Sequence, residues 1–286
     1  MPRLRLSAFV LASTMILTAT PGHAINCGKA SGRIDRMICA DAALQRADAA
    51  MNAAYAGILK AAGDAGIRAM LVAGQRRWLA QRDADLGHLD RSGDAPDAGT
   101  WRGIVLKAIR DRTADLKRLE GGNPYLPHMV AVARAQRRFA ARFTGGAFAG
   151  YDTSCSFLPG GDGYSYGCFG RQRYQNKDRV CTIAQDWASG SVTETHFVGR
   201  VVGGTLRTTA TCSIGGGAGP SCPGPGAGGG KGWGASSARE APPSRPLPQI
   251  DADADFDPEA PWLSACLTAS DYPVAGTKRA AHPAAR

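Results

Sequence analysis

Most local signatures of chemistry are missing from this chain. After its first 24 residues it holds four histidines, His88, His128, His196 and His282, and none stands at ligand spacing to a cysteine. No two cysteines show CxxC spacing, so the common zinc and redox motifs are excluded. There is no nucleophile elbow, phosphate-cradling glycine loop or zinc-peptidase motif. No metal and no cofactor is expected. Dense basic runs interleaved with aromatics are also lacking, which argues against nucleic acid as a partner. Beyond the N terminus no segment approaches eighteen consecutive apolar residues, so no transmembrane segment is expected. The one pairing with acid/base potential is His196 with Glu194, two apart on a strand and hence on one face. No nucleophile lies near it in sequence, and the chain is read as a non-enzyme.

What is present begins with a secretory signal over residues 1–24. Arg3 and Arg5 form a basic start, Leu6 to Ala19 an apolar run, and Gly22 and Ala24 the small residues of a cleavage site. Asn26 precedes Cys27 where a lipid-anchored protein would need a small residue, so no lipid anchor is expected. Alanine, arginine and glycine richness suits a GC-rich bacterial genome, and the compartment is read as periplasmic or secreted. In an oxidising compartment eight cysteines read as four disulfides. The formal charge of +10 falls to +8 without Arg3 and Arg5, and the excess is spread over both halves of the chain. A diffuse positive balance weakly favours anionic partners such as envelope polymers.

The first half, residues 25–120, is helical in pattern. Asp41 is placed to cap a helix in which Leu44, Ala47, Met51, Ala54, Ile58 and Leu59 recur at helical spacing. A second helix runs from about Ile67 to Leu86, with Trp78 facing inward. The stretch "RSGDAPDAGT" at 91–100 is a loop, and Thr100 is placed to cap a third helix that "GGNP" terminates. Short connections make this a three-helix antiparallel bundle. Cys27 and Cys39 raise a geometric question. In one continuous helix their Cα atoms would lie roughly 18 Å apart, whereas a disulfide tolerates less than about 7 Å. Either they do not pair with each other, or the chain folds back between them.

The run Cys27 … Ile38-Cys39-Ala40-Asp41 … Leu44 … Asp48 … Met51 … Tyr55, followed by Gln75-Arg76-x-Trp78-Leu79-x-x-Arg82-Asp83, resembles the N-terminal domain of the lysozyme inhibitor LprI family. The resemblance covers about residues 25–119. It implies a small exported helical domain in which Cys27 and Cys39 are bonded. Asp41, Asp48, Tyr55, Gln75, Trp78, Arg82, Asp83 and Arg112 are the motif residues, read as core, caps and partly buried ion pairs. A second cysteine pair usual in the family is replaced here by Asp85 and Ile104, which predicts a bundle that is looser at that end.

The second half is read as β-rich, giving an α+β fold overall. An amphipathic helix opens it, with Met129, Val132, Gln136, Phe139 and Phe143 on one stripe and Arg134, Arg137, Arg138 and Arg142 outside. Residues 125–214 comprise this helix and a small disulfide-rich antiparallel β domain. One hairpin turns near Gln175–Asp178 and another at Gly203-Gly204. Cys155, Cys168, Cys181, Cys212, Cys222 and Cys266 allow fifteen connectivities. Cys168–Cys181 is taken as a possible pair, and Cys222–Cys266 as another. Residues 215–249 read as a Gly/Pro-rich linker and 250–286 as a tail that docks partly on the sheet. Its "DADADFD" run lacks the calcium-loop glycine and glutamate and is read as a solvated acidic stretch.

These features lead to an exported, non-enzymatic binding protein. The resemblance implies inhibition of a lysozyme or another wall hydrolase, with the 91–100 loop and its Arg91 or Ser92 entering the target's cleft. The alternatives are a module binding anionic envelope material through Arg134, Arg137, Arg138 and Arg142, or a periplasmic immunity-type protein.

Overall fold

The computed structural model describes residues 25–91, 95–160, 163–188, 190–214, 221–223 and 232–273. The expected signal segment, residues 215–220 and 224–231 of the expected linker, and the tail from 274 onward lie outside these. The fold is α+β: helices come first, then an antiparallel sheet, and four disulfides cross-link it.

A single 3-10 turn at Cys27–Lys29 leads into α1 (Arg33–Ala40). The chain folds back between them, and Cys27 and Cys39 are bonded with their Cα atoms 5.5 Å apart. Three long helices follow, α2 (Ala42–Ala61), α3 (Ala65–Asp85) and α4 (Ala98–Lys117). Each starts on an aspartate whose carboxylate accepts orphan backbone N–H groups. Asp41 takes Ala43 and Leu44, Asp64 takes Ile67, and Asp97 takes Gly99 and Thr100. Asp97, rather than Thr100, therefore caps α4. Its carboxylate also accepts the Thr100 hydroxyl at 2.7 Å, so the threonine is drawn inside the first turn. Leu44, Met51, Ile58, Ile67, Leu71, Trp78, Val105 and Ile109 fill the interior.

A two-stranded hairpin, β1 (Leu119–Glu120) and β2 (Asn123–Pro127), leads to α5 (His128–Ala140). The main sheet is a meander of β3 (Gly150–Gly160), β4 (Gly163–Asn176), β5 (Arg179–Ala188), β6 (Ser191–Val202) and β7 (Thr205–Ile214). Gly203 and Gly204 turn the last hairpin at φ 58° and 75°, a conformation that suits the strand twist and that side chains resist. Gln172, Tyr174, Cys181, His196, Val198 and Cys212 lie on one face. Against it sits α6 (Pro261–Thr268), which buries Leu263, Cys266 and Leu267.

Three expectations for this half need correction. Neither Cys168–Cys181 nor Cys222–Cys266 is formed: Cys155 bonds Cys168, Cys181 bonds Cys266, and Cys212 bonds Cys222. The turn at Lys177–Asp178 sets Cys181 opposite Tyr174. Cys168 is therefore six residues further along its strand, roughly 20 Å away, and faces Cys155 directly on β3. The described part of the expected linker is not free chain. Strands β8 (Gly234–Ala235) and β9 (Arg239–Glu240) pair with β7 and cover an edge that would otherwise expose unpaired backbone groups. Glu240 also meets the buried Arg173 at 2.7 Å.

The acidic stretch is solvated only in its second half, where Asp255 and Asp257 are exposed; its first half is not. Asp251 is 6 % exposed, and it receives Arg77 through two hydrogen bonds of 2.9 and 3.0 Å. Asp253 is bonded by Arg77 at 2.7 Å and Arg112 at 3.3 Å. Gln136 on α5 donates to the Asp251 carbonyl and accepts from its N–H. Residues 250–253 thus fasten α3, α4 and α5 together, while the residues after them dock on the sheet. Gly74 leaves room for this approach, since a Cβ there would stand 2.9 Å from an Asp253 oxygen.

Candidate functional site

The motif residues gather at two levels of the bundle. The first is the end from which the α3–α4 connection emerges. Arg82, with its side chain 5 % exposed, bonds Asp83 on its own helix and Asp35 on α1 at 3.1 Å, and its guanidinium lies 5.9 Å from the Trp78 ring. Asp41 receives Arg102 from α4. That hydrogen bond, with the backbone N–H groups of Leu44 and Ala43, lowers the Asp41 pKa to about 2. Trp101 donates its indole N–H to the Leu86 carbonyl at 2.7 Å. Leu86 and Leu89 are buried, so the 3-10 segment Leu86–Arg91 leaves α3 on a fixed course. Asp97 fixes the other end. Ser92 and the Arg91 side chain lie outside the described residues.

The second level is the bundle interior. Asp48, 4 % exposed, accepts from the Ile25 N–H and from Asn52, each at 3.0 Å. Arg112 donates to Gln75 at 3.0 Å, and Gln75 in turn faces the Met51 sulfur. The half-buried Tyr55 hydroxyl has its pKa raised by burial, against the opposing pull of Arg76, Arg68 and Arg112. Asp85 and Ile104, which stand where the motif leads one to look for a second disulfide, are covered by the β3–β4 hairpin. Asp85 accepts the Phe157 N–H at 2.8 Å, and Ile104 lies beside Gly163. Phe157 packs edge-on against Trp78 with ring centroids 6.0 Å apart. The bundle end expected to be loose is therefore closed by the sheet.

The three arginines of α5 and Arg142 just beyond its end are all exposed, but two of them are engaged. Arg137 bonds Asp64 at 2.8 Å and keeps that carboxylate below its usual pKa, while Arg142 lies over the Phe139 and Phe143 rings. Arg134 reaches the turn at Gly63. Arg138 is exposed.

A cavity of about 350 Å³ opens between α6 and the covered face of the sheet. His196 is stacked on Trp262 with centroids 4.0 Å apart, and Trp233 stands tilted 6.0 Å from the same ring. Glu194 holds His196 Nε2 at 2.6 Å and also accepts from Gln185. The hydrogen bond with His196 keeps the Glu194 carboxyl below its usual range despite burial. Asp255 and Asp257 also line the cavity, and no Lys or Arg does so among the described residues. Its chemistry suits a cation with an apolar body better than an anion. His196, Cys212 and Cys222 bring three donor atoms within 4.8 Å of one another. Both sulfurs are spent in a disulfide, so the set offers a metal only the imidazole. Strand alternation could place Glu194 beside His196, but Trp233 and Trp262 arrive from distant segments and carried no local signal.

No helix among the described residues is long and apolar enough to cross a membrane. Comparison with curated proteins and with solved structures returns no match. The family comparison returns one, and it ends before the sheet begins. Residues 26–116, which make up the helical domain, match the family described as lysozyme inhibitor LprI.

Proposed function

We propose that this is an exported, non-enzymatic envelope protein, periplasmic or secreted, whose helical domain binds and inhibits a lysozyme or another wall hydrolase. The match over residues 26–116 carries this reading. Four disulfides suit an oxidising compartment. Inhibition works by occlusion: the connection from Arg91 to Asp97 enters the cleft, and Arg91 or Ser92 meets the carboxylates that glycoside hydrolysis requires. The fixed ends of the loop, at Leu86 and Asp97, reduce the ordering cost of such insertion.

Charge opposes the encounter with a basic lysozyme, since this chain is itself +8 without its first 24 residues. Association is therefore expected to quicken as salt rises toward about 0.15 M, where the screening length is about 8 Å. Arg137 is engaged by Asp64 and Arg142 by two rings, which leaves Arg134 and Arg138 as the cations open to anionic envelope material, and the cavity lining is acidic, so that reading stands second. The test is the rate of bacterial lysis by lysozyme with excess purified, oxidised protein. Slowed lysis that is restored in the Arg91→Ala/Ser92→Ala variant is the expected result; an unchanged rate with the unaltered protein removes the inhibitor claim.

A further inference from the structure

Asp48 is a carboxylate with a missing counter-charge. It is 4 % exposed in α2, and its Oδ2 accepts hydrogen bonds from Asn52 and from the backbone nitrogen of Ile25, both neutral donors in the uncut chain. Among the described residues no Lys, Arg or His forms an ion pair with it. A buried carboxylate held only by neutral donors is costly. The residue that reaches it is the first one after the predicted signal cleavage site.

We propose that cleavage between Ala24 and Ile25 supplies the absent charge, and that the new α-ammonium of Ile25 forms a buried ion pair with Asp48. Hydrolysis by a membrane-bound signal peptidase consumes one water and breaks the Ala24–Ile25 amide bond. Ala24 leaves as a carboxylate, and the Ile25 nitrogen takes up protons to become an ammonium with three donors in place of one. Its geometry is already set, since the nitrogen lies 3.0 Å from Asp48 Oδ2. Two features hold it there. The Ile25 side chain packs against the bundle core, and Cys27, two residues on, is bonded to Cys39 at the start of the helical domain. Processing thereby locks the lead-in onto α2, and the uncut precursor lacks that lock. The proposal rests on the exported reading above, but is separable from the inhibitor claim.

The test begins with the mass of the protein purified from the envelope, where a first residue of Ile25 is expected. A different first residue overturns the proposal while leaving inhibition open. Two forms are then released from fusions by a site-specific protease, one starting at Ile25 and one at Ala24, each with Asp48 and with Asp48→Asn. The longer form keeps the N–H donor but displaces the charge. It is expected to show an unfolding equilibrium constant about tenfold larger with Asp48, and no difference with Asp48→Asn. Equal stability of the two Asp48 forms, or a difference that survives Asp48→Asn, overturns the pairing. Should Asp48→Asn fail to fold, acylation of the α-amine decides: at least tenfold slower reaction in the folded Ile25 form than in urea supports the pair, and equal rates overturn it.

Discussion

Replacing Arg77 by alanine is the sharpest probe of how the C-terminal segment is fastened. Arg77 forms three hydrogen bonds of 2.7 to 3.0 Å to Asp251 and Asp253, two carboxylates that are nearly buried. Burial would lower its pKa, and the two aspartates reverse this and raise it. In Arg77→Ala, Asp253 keeps Arg112 at 3.3 Å, whereas Asp251 keeps no cation. Breaking a buried pair on one side costs about 3–5 kcal/mol, chiefly because a charge is left stranded. For a chain of this size each kcal/mol lowers Tm by about 2–4 °C, so a fall of roughly 6–20 °C is expected. If stranding is the cause, Asp251→Asn in the same chain restores most of the loss, because an amide there needs no cation. Cys181–Cys266 still tethers α6 to the sheet, so the segment should loosen without leaving. Hydrogen exchange at the Asp251 amide, which now donates to Gln136 at 2.9 Å, reads that loosening. A fall below about 1 kcal/mol, or a double variant no more stable than Arg77→Ala, would refute the account.

Trp78→Ala removes the ring that joins bundle and sheet and is expected to cost about 3–5 kcal/mol by urea unfolding; a loss under about 1 kcal/mol would mean that Phe157 makes no shared core. Replacing Cys27 and Cys39 together by serine opens a short covalent loop worth about 3 kcal/mol in the chain-entropy model, and calorimetry of the double variant measures it. Asp41 has a folded pKa of about 2, below its ordinary value of 3.8, so its pairing with Arg102 contributes stability above roughly pH 4 that is lost as pH falls through the folded value. In Asp41→Asn that acid-induced loss should be smaller across this window in a pH series of melts, and an unchanged slope would contradict it.

Local structure was legible where local chemistry decides it. Asp41 caps α2 because a carboxylate one residue ahead of a helix reaches its first N–H groups, and that geometry is written within four residues. Gly203-Gly204 turns a hairpin for an equally local reason. Partnerships set by the packing of distant segments were not legible. Arg77 meets Asp251 across 174 residues, and nothing in "DADADFD" itself distinguishes a buried latch from a solvated run. The disulfides show the boundary between the two cases. Placing the β4–β5 turn correctly was not enough, because register counts residues outward from the turn and Cys168 lies six positions too far from Cys181's partner. Of the cavity, only the His196–Glu194 side could be reached from strand alternation; its Trp262 wall depends on where Cys181–Cys266 pins α6.

The same contrast bears on Asp85 and Ile104, where the resemblance in sequence leads one to expect a covalent staple. A disulfide closing a short loop there would contribute about 3 kcal/mol, mainly by restricting the unfolded chain. The β3–β4 hairpin acts instead on the folded state: it buries Phe157 against Trp78 and gives Asp85 a backbone N–H at 2.8 Å. Burying a phenylalanine side chain is worth roughly 1.5–3 kcal/mol, and a hydrogen bond to a charged group adds about 1.5–3 kcal/mol more. The two devices are comparable in size but differ in consequence. A staple would leave the bundle self-sufficient, whereas the hairpin makes its stability depend on the sheet and on Cys155–Cys168, which joins the two strands that carry the contact. The β half is thus part of what holds the α3–α4 connection in place, and cutting the chain after residue 120 should release the end of the bundle from which the inhibitory loop is proposed to project.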